Sequence, residues 1–408
     1  MASGTAVAQI ATIAAAPVLT RLYSEAEFGQ LAIFTAIATL LGNFATLRFE
    51  GAIPTAHVLD VPRLARLAAL SAGVVCVVFF AVWTLNSPAI ENRLLGSAIP
   101  FFGGLLAATA FLISASNIVT RLYVRDEAYR SIALRSAGQG IVQAVTQVVL
   151  GVLLPVVNGL LAGLAVGRLA GLAGARLGGR RRRVTTGPRL SVLLRRYRRF
   201  PLISSWSSLL NSAGLQVPVL LIGAGYSIVL LGAMALAQRV LAAPTQLLAQ
   251  SLENVTQGYV GRLVRRNEHG LGRIIARLLL LLSAAAFVPA AVTIPFAPAA
   301  FQVVFGEDWR EAGVFYQILV LPAAAQIVAL PLGSILMVLE LQSTQAVWDA
   351  GRALTTIGAV AMAIAVGAGV YAAALALAVS QVLWYGVLVI LVYRAAAAYD
   401  FSIRDDGR

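Results

Sequence analysis

A stripe of polar residues interrupts an apolar stretch in the second half of the sequence. Its members are Arg239, Gln246, Gln250, Glu253 and Gln257. Because they are spaced 7, 4, 3 and 4 residues apart, all five fall on one face of an α-helix. A face that carries a guanidinium, a carboxylate and three amides predicts the lining of a hydrated cavity.

Two more polar stripes lie in apolar stretches of the first half. One contains Thr35, Thr39, Asn43, Thr46 and Glu50, with Arg48 to its side. The other contains Gln139, Gln143 and Gln147. With the serine-rich segment 204–212, these stripes predict a cavity lined from both halves of the chain. The alternative is structural, because Gln, Ser and Thr inside membranes also hydrogen-bond between helices at about 1 kcal/mol or less. We favour that structural role for any single glutamine.

Two arginines lie near the middle of apolar stretches, Arg239 and Arg168. A charged side chain there costs about 2.5–3.5 kcal/mol, so we favour a cavity-lining role for both. Arg168 follows a stripe of small residues at Gly159, Gly163 and Gly167, which predicts close helix packing. Its own side chain points about 100° away from Gly167, outside that seam.

Other charged residues have simpler interpretations. Arg48 and Glu50 lie near the end of an apolar stretch, where they line the cavity or extend to water equally well. Asp349 and Arg352, three residues apart, are expected to form an exposed ion pair worth little. His57 and His269 are isolated and expected in solvated loops. A single cysteine, Cys76, excludes a disulfide framework and predicts no metal cluster.

The elements that position these residues follow from composition. Of the 408 residues, 59% are hydrophobic and only 12% are charged, about half the charged fraction of a soluble protein. The apolar residues occur in blocks of about twenty, the length that crosses roughly 30 Å of hydrocarbon as a helix. A transmembrane barrel would show short alternating segments instead. The fold class is therefore an all-α polytopic membrane protein.

We place about twelve spans in two sets of six. They cover residues 3–20, 28–50, 64–86, 96–119, 132–154, 156–178, 201–223, 227–257, 273–298, 313–339, 345–367 and 370–393. The predicted domains are six-helix lobes at 1–178 and 200–394, a basic cytoplasmic linker at 179–199 and a cytoplasmic tail at 395–408. The first stretch lacks a basic leading segment, so we expect a span there rather than a cleavable signal peptide.

Orientation follows from the 31 basic residues, all of them arginine, which give a net charge of +14. About 25 fall in or beside cytoplasmic loops if both chain ends are inside, as the positive-inside rule requires. The basic linker holds ten arginines counted from Arg176 to Arg199, and we expect it to bind anionic membrane lipid. Basic residues scattered between hydrophobic spans do not form a nucleic-acid surface, so no nucleic-acid partner is expected.

Several segments resemble one family. Residues 16–29, APVLTRLYSEAEFG, and 46–54, TLRFEGAIP, are similar to the N-terminal signature of bacterial polysaccharide biosynthesis membrane proteins. The second half agrees at 200–206, FPLISSW, at 237–244, AQRVLAAP, and at 304–313, VFGEDWREAG. The resemblance is to O-antigen-type oligosaccharide flippases of the multidrug/oligosaccharidyl-lipid/polysaccharide exporter superfamily, and it covers most of the chain in order.

That resemblance implies a lobed, V-shaped transporter, not an enzyme, in the bacterial cytoplasmic (inner) membrane. Its implied substrate is a polyprenyl-diphosphate-linked oligosaccharide, moved to the periplasmic leaflet for surface polysaccharides such as lipopolysaccharide O-antigen. Arginine binds phosphate oxygens in a bidentate manner. We therefore assign the substrate-binding residues as Arg48, Arg168, Arg239, Gln246, Gln250, Glu253 and Asn43. Glu253 and Gln246 would contact sugar or a coupling ion, either H⁺ or Na⁺, and no other cofactor is expected.

Two other functions stay open. A multidrug or small-molecule exporter of the same superfamily would favour a more apolar cavity with an acidic residue deep in the first half, where only Glu50 near an edge occurs. A membrane enzyme of polysaccharide assembly would need a large outer loop or paired carboxylates. Asp405 and Asp406 are paired, but they lie in the predicted tail. A polysaccharide polymerase and other assembly proteins are the implied protein partners.

Overall fold

A computed structural model of the chain describes residues 2–95, 99–153, 156–178, 190–266 and 269–406. These residues are almost entirely helical, and no strand occurs among them. The chain divides into two compact units, Met1–Gly232 and Ala233–Arg408. The predicted lobes at 1–178 and 200–394 stay a prediction, and linker residues 179–189 lie outside the described part.

Eight helices make up most of the first unit. They are α1 (Ala2–Leu22), α2 (Glu25–Ala45), α3 (Val61–Leu95), α4 (Phe102–Arg125), α5 (Tyr129–Leu153), α6 (Val157–Gly178), α7 (Leu190–Arg196) and α8 (Ser205–Gly225). A 3₁₀ turn, Phe49–Ala52, follows α2, and a π turn, Phe200–Ser204, precedes α8.

Helix α9 (Ile228–Arg265) begins in the first unit and continues into the second. The remaining helices are α10 (Leu271–Thr293), α11 (Ala297–Phe305), α12 (Arg310–Val338), α13 (Gln342–Ala365) and α14 (Val370–Asp406). Most of α12 is buried, and it packs against α10, α11 and α14. At the start of α10, the Asp400 carboxylate accepts hydrogen bonds from the backbone N–H groups of Gly270, Leu271 and Gly272 at 2.9–3.0 Å. This contact fixes the end of α14 to α10.

The multi-pass membrane prediction is confirmed by helix length and composition. Among the described residues, ten helices or helix pairs are long and apolar enough to cross a membrane. Helix α1 contributes a shorter apolar stretch, Ala6–Leu22, and α13 is not one of the ten. The first turns of α13 are polar, from Gln342 to Gln345. The count of twelve spans and the cytoplasmic position of both ends stay predictions.

The end of α2 differs from the predicted span at 28–50. A capping box between Ser24 and Glu27 starts this helix, as the sequence pattern S-E-A-E favours. The helix ends at Ala45 because Leu47 and Arg48 adopt the left-handed backbone conformation, with φ of 48° and 58°. Two consecutive residues with positive φ cannot continue a right-handed helix.

A close seam joins α5 to α6. The glycines of α6 lie directly against glutamines of α5. A Cβ atom on Gly163 would lie 2.3 Å from Gln147 Cγ, and one on Gly167 would lie 2.6 Å from Gln143 Cβ. The Gln147 amide donates a hydrogen bond to the Leu160 carbonyl oxygen at 3.0 Å. The predicted small-residue packing face is therefore present, and these glutamines belong to it.

The basic linker ends in a short helix, α7, that packs against other parts of the first unit. Leu193 of α7 is fully buried. Arg196 Nη1 and the Tyr197 hydroxyl both donate to the Asp60 carboxylate, at 3.1 and 3.0 Å. Burial and this hydrogen bond to Asp60 raise the pKa of Tyr197, so the phenol stays a proton donor. The C-terminal end of the linker is thus held to the turn before α3.

We expect Gly163→Leu to destabilise the protein, because no space for a side chain exists opposite Gln147. Overpacking of this kind costs about 1–3 kcal/mol, and the thermal midpoint of the purified protein in detergent should fall by several degrees. Gly174→Leu is the matched control, since a Cβ on this exposed α6 residue meets no atom within 4 Å. Equal midpoints for the two variants would contradict the seam.

Candidate functional site

Asn43 belongs to a polar network that joins three helices of the first unit. Its side-chain oxygen accepts from Asn117 Nδ2 of α4 at 3.1 Å, and its Nδ2 donates to Ser212 Oγ of α8 at 3.3 Å. One turn away, Ser114 Oγ of α4 donates to the Gly42 carbonyl oxygen at 2.8 Å. The network connects α2, α4 and α8. Asn43 therefore has a structural role in addition to the binding role predicted for it.

Arg48 and Glu50 lie in the turn that follows α2. Arg48 Nη1 is 3.8 Å from Glu50 Oε1, and Glu50 is 2% exposed whereas the Arg48 side chain is 34% exposed. Glu50 is enclosed by the turn and its surroundings, while Arg48 keeps access to the surface. This geometry places the two residues at a helix end and leaves the binding role of Arg48 a prediction.

Arg168 lies on α6 between two contacts with α5. A Cβ on Gly167 would meet Gln143, and one on Gly171 would meet Gln139 Cβ at 3.3 Å and Arg135 Cγ at 3.5 Å. Gly171 lies one helical turn after Arg168, so Arg168 lies near Arg135 across the seam. The Arg168 Nε atom is buried and has no hydrogen-bond partner among the described residues.

Arg135 was not among the predicted site residues. It falls near the start of the span predicted at 132–154, so the sequence pattern groups it with the cytoplasmic arginines. In the structure its guanidinium is directed towards α4, where Nη1 donates to the Ser116 carbonyl oxygen at 2.9 Å and Nη2 to Thr120 Oγ1 at 2.7 Å. A guanidinium held this firmly against a membrane helix is a candidate ligand-binding group.

The polar face of α9 is present in the structure. Arg239 is half-buried, Gln246 is exposed, and Glu253 Oε1 accepts a hydrogen bond from Gln257 Nε2 at 3.1 Å. The side chain of Gln250 lies outside the described part of the chain. The four-residue spacing of Glu253 and Gln257 brings their side chains together as the helical period requires.

The interpretation of Asp349 and Arg352 as an exposed pair is wrong. Arg352 is 4% exposed and lies over the Trp348 ring at 5.2 Å, with its Nη2 3.8 Å from Asp349 Oδ1. Trp348 in turn donates from Nε1 to the Trp384 carbonyl oxygen at 2.6 Å. Close packing of α13 on α14 covers the guanidinium, an effect that the spacing of two charged residues does not reveal. Arg352 is accordingly part of a packed interface.

Possible ligands for a metal do not gather anywhere in the described residues. No group of three or more His, Cys, Asp or Glu side chains lies together there, and Cys76 is buried.

Comparisons with known proteins identify the fold. Lipid II flippase MurJ, in an inward closed conformation, superposes with a TM-score of 0.75 at 12% identity over 98% of this chain and 89% of its own. An inward-facing multidrug resistance MATE family transporter of the MOP superfamily gives 0.62 at 12% identity, over 98% and 95%. The eukaryotic MATE transporter AtDTX14 gives 0.61 at 14% identity, over 98% of both chains. At such low identity these similarities establish the fold alone.

The fold and the apolar helices define a multi-pass α-helical membrane protein of the architecture shared by these transporters. The family described as polysaccharide biosynthesis protein matches residues 18–313, well over half of the chain. The chain belongs to that family, which confirms the predicted resemblance. A sequence comparison with functionally curated proteins gives no match.

We expect Asn43 and Asn117 to be energetically coupled, because one donates directly to the other. In a double-mutant cycle with Asn43→Ala and Asn117→Ala, the coupling free energy of unfolding should be about 0.6 kcal/mol, the average for such pairs in a membrane. A cycle of Asn43 with Asn86 should give no coupling, since the Asn86 amide bonds within its own helix. A coupling of zero for the first pair would exclude the network.

Proposed function

We propose that the protein is a flippase that moves a polyprenyl-diphosphate-linked oligosaccharide from the cytoplasmic to the periplasmic leaflet for surface polysaccharide assembly. Membership of the polysaccharide biosynthesis family supports a polysaccharide as the product to which the protein contributes. A fold shared with transporters supports movement of a substrate over catalysis. The observation that carries the proposal is the presence of arginines within helices that are otherwise apolar enough to cross a membrane.

The chemistry of the head group accounts for those arginines. A diphosphate loses strong hydration when it enters the membrane, and planar guanidinium groups replace that hydration with paired hydrogen bonds to its oxygens. In the first unit, Arg168 and the more exposed Arg48 would supply this charge. In the second, Arg239 would do so. The side chains of Asn43, Gln246, Gln250 and Glu253 would bind sugar hydroxyls, or a coupling ion in the case of Glu253.

The surroundings of the protein follow from the same proposal. The cytoplasmic membrane of a bacterium is the compartment where a lipid-linked glycan must cross. The arginines of the linker would bind anionic lipid on the cytoplasmic face. A polymerase that joins the delivered oligosaccharides is the expected neighbour. Coupling to H⁺ or Na⁺ would supply the free energy of transport.

A multidrug exporter is the second candidate, because MATE transporters share the fold. The carboxylate that such a function would require in the first unit is poorly placed. Glu50 is 2% exposed and lies beside Arg48, at the end of α2 rather than along its length. The Arg48 guanidinium, 3.8 Å from this carboxylate, would oppose binding of a cationic drug there, which favours an anionic substrate.

We expect Arg239→Ala to abolish glycan export while the protein still folds and inserts. The variant removes a guanidinium from the polar face of α9, and alanine offers no paired donors in its place. In cells, lipid-linked oligosaccharide should accumulate in the cytoplasmic leaflet, as measured by its accessibility to an impermeant glycan-binding lectin on sealed vesicles. Arg239→Lys should restore export only in part, because an ammonium group lacks the planar fork.

Arg265→Ala is the matched control, an exposed arginine at the end of the same helix. It should export normally. Unchanged export in Arg239→Ala would exclude Arg239 from the substrate path. A deletion strain that becomes drug-sensitive without accumulating lipid-linked oligosaccharide would replace the flippase proposal with the exporter.

A further inference from the structure

Two arginines on adjacent helices of the first unit have no acidic partner in the part of the chain that the structure describes. A Cβ on Gly171 of α6, one helical turn after Arg168, would lie 3.5 Å from Arg135 Cγ of α5, so the two arginines adjoin across the helix seam. Within the described residues, neither guanidinium forms an ion pair, and both Nε atoms are buried without a hydrogen-bond partner. Two neighbouring cations in a membrane helix pair are costly unless an anion is bound between or beside them.

Neutral contacts hold one of the two cations in place. The two bonds from Arg135 to Ser116 and Thr120 orient its guanidinium but leave its charge uncompensated. Thr120 Oγ1 itself donates to the Ser116 carbonyl oxygen at 2.7 Å, which fixes the acceptor that Arg135 contacts. The Ser116 hydroxyl is buried and has no partner among the described residues. A further donor is therefore available on the same turn of α4.

We propose that Arg135 and Arg168 together bind one phosphoryl group, at a site formed by α4, α5 and α6. A tetrahedral group with several charged oxygens can accept from two guanidinium groups at once, whereas one carboxylate would be shared poorly between them. The inference rests on the proposed function in one respect, that a lipid-linked diphosphate would be the ligand during transport. A phospholipid head group of the bilayer offers the same chemistry.

The seam between α5 and α6 explains why these two side chains stay together. Gly167 and Gly171 lie on either side of Arg168 in sequence, and they bring α6 against Gln143, Gln139 and Arg135. A helix pair packed this closely cannot separate the two cations without losing the hydrogen bond from Gln147 to Leu160. The repulsion between the guanidinium groups is thus maintained by the fold, and a bound anion relieves it.

The test is equilibrium binding of inorganic pyrophosphate to the full chain, purified in detergent at low ionic strength and measured by calorimetry. Arg135→Gln and Arg168→Gln should each raise the Kd by about tenfold or more, as expected when a charge-assisted bidentate contact is lost. The double variant should be only slightly weaker than either single variant, because both side chains bind the same group. Arg130→Gln changes an exposed arginine on the same helix and should leave the Kd unchanged.

Thermal unfolding separates a binding role from a structural one. Without ligand, Arg168→Gln should keep or raise the thermal midpoint, since it removes a cation that has no partner. With pyrophosphate near the wild-type Kd, the wild type and the Arg130→Gln control should gain more stability than the Arg135→Gln and Arg168→Gln variants. If Arg135→Gln fails to fold because its bonds to α4 are lost, Arg135→Lys and Arg168→Gln still provide the comparison.

Two competitors distinguish the sources of the phosphoryl group. Displacement of pyrophosphate by geranylgeranyl diphosphate but not by phosphatidylglycerol would assign the site to the transported lipid. Displacement by phosphatidylglycerol but not by geranylgeranyl diphosphate would assign the site to bilayer lipid. Absence of pyrophosphate binding in the wild type, or an unchanged Kd in Arg168→Gln, would overturn the proposal. These measurements do not involve export. A negative binding result would therefore overturn the phosphoryl site without overturning the flippase function, and a negative export result would overturn the flippase function without overturning the site.

Discussion

A guanidinium group that leaves water for the membrane must find its hydrogen bonds and its counter-charge in the protein, and this requirement governs the polar contacts of both units. Its cost is about 2.5–3.5 kcal/mol on the insertion scale. Arg352 finds its counter-charge in the Asp349 carboxylate, 3.8 Å away, and packs over the Trp348 ring. Arg135 donates hydrogen bonds to neutral oxygens of α4 and has no counter-charge among the described residues. The difference between the two separates an arginine used for packing from one available to a ligand.

Close approach of helices is what makes such contacts possible. Side-chain amides and guanidinium groups reach a neighbouring backbone only when small residues remove the intervening bulk. Gly163 allows Gln147 to reach the Leu160 carbonyl oxygen. Gly351 leaves space for the Trp384 ring, and Trp348 donates a hydrogen bond to the Trp384 carbonyl oxygen. In each unit the glycines therefore determine which polar side chains are tied into the helix packing.

Hydropathy predicts the helices well because the length of a span is imposed by the bilayer. The predicted span at 132–154 agrees with α5 to within a few residues, since apolar blocks and polar turns alternate sharply there. The end of α2 could not be predicted, because the residue types of Leu47 and Arg48 do not indicate a positive φ. The environments of Arg352 and Arg135 could not be predicted for another reason. Their environments depend on which helix packs opposite, and hydropathy carries no information about that neighbour.

The distribution of carboxylates in the first unit bears on the kind of substrate. Glu27 caps α2, Asp60 accepts from Arg196 and Tyr197, and Glu91 accepts from Trp83 Nε1 and the backbone of Ile99. A cationic ligand at Asp60 or Glu91 would have to break these contacts, and at Glu91 it would leave the buried Trp83 donor unpaired. Arg135 of α5 and Arg168 of α6 form no ion pair with a carboxylate among the described residues. This contrast between Asp60, Glu91 and the two arginines favours an anionic ligand at α5 and α6, the sign of charge that a lipid-linked diphosphate carries.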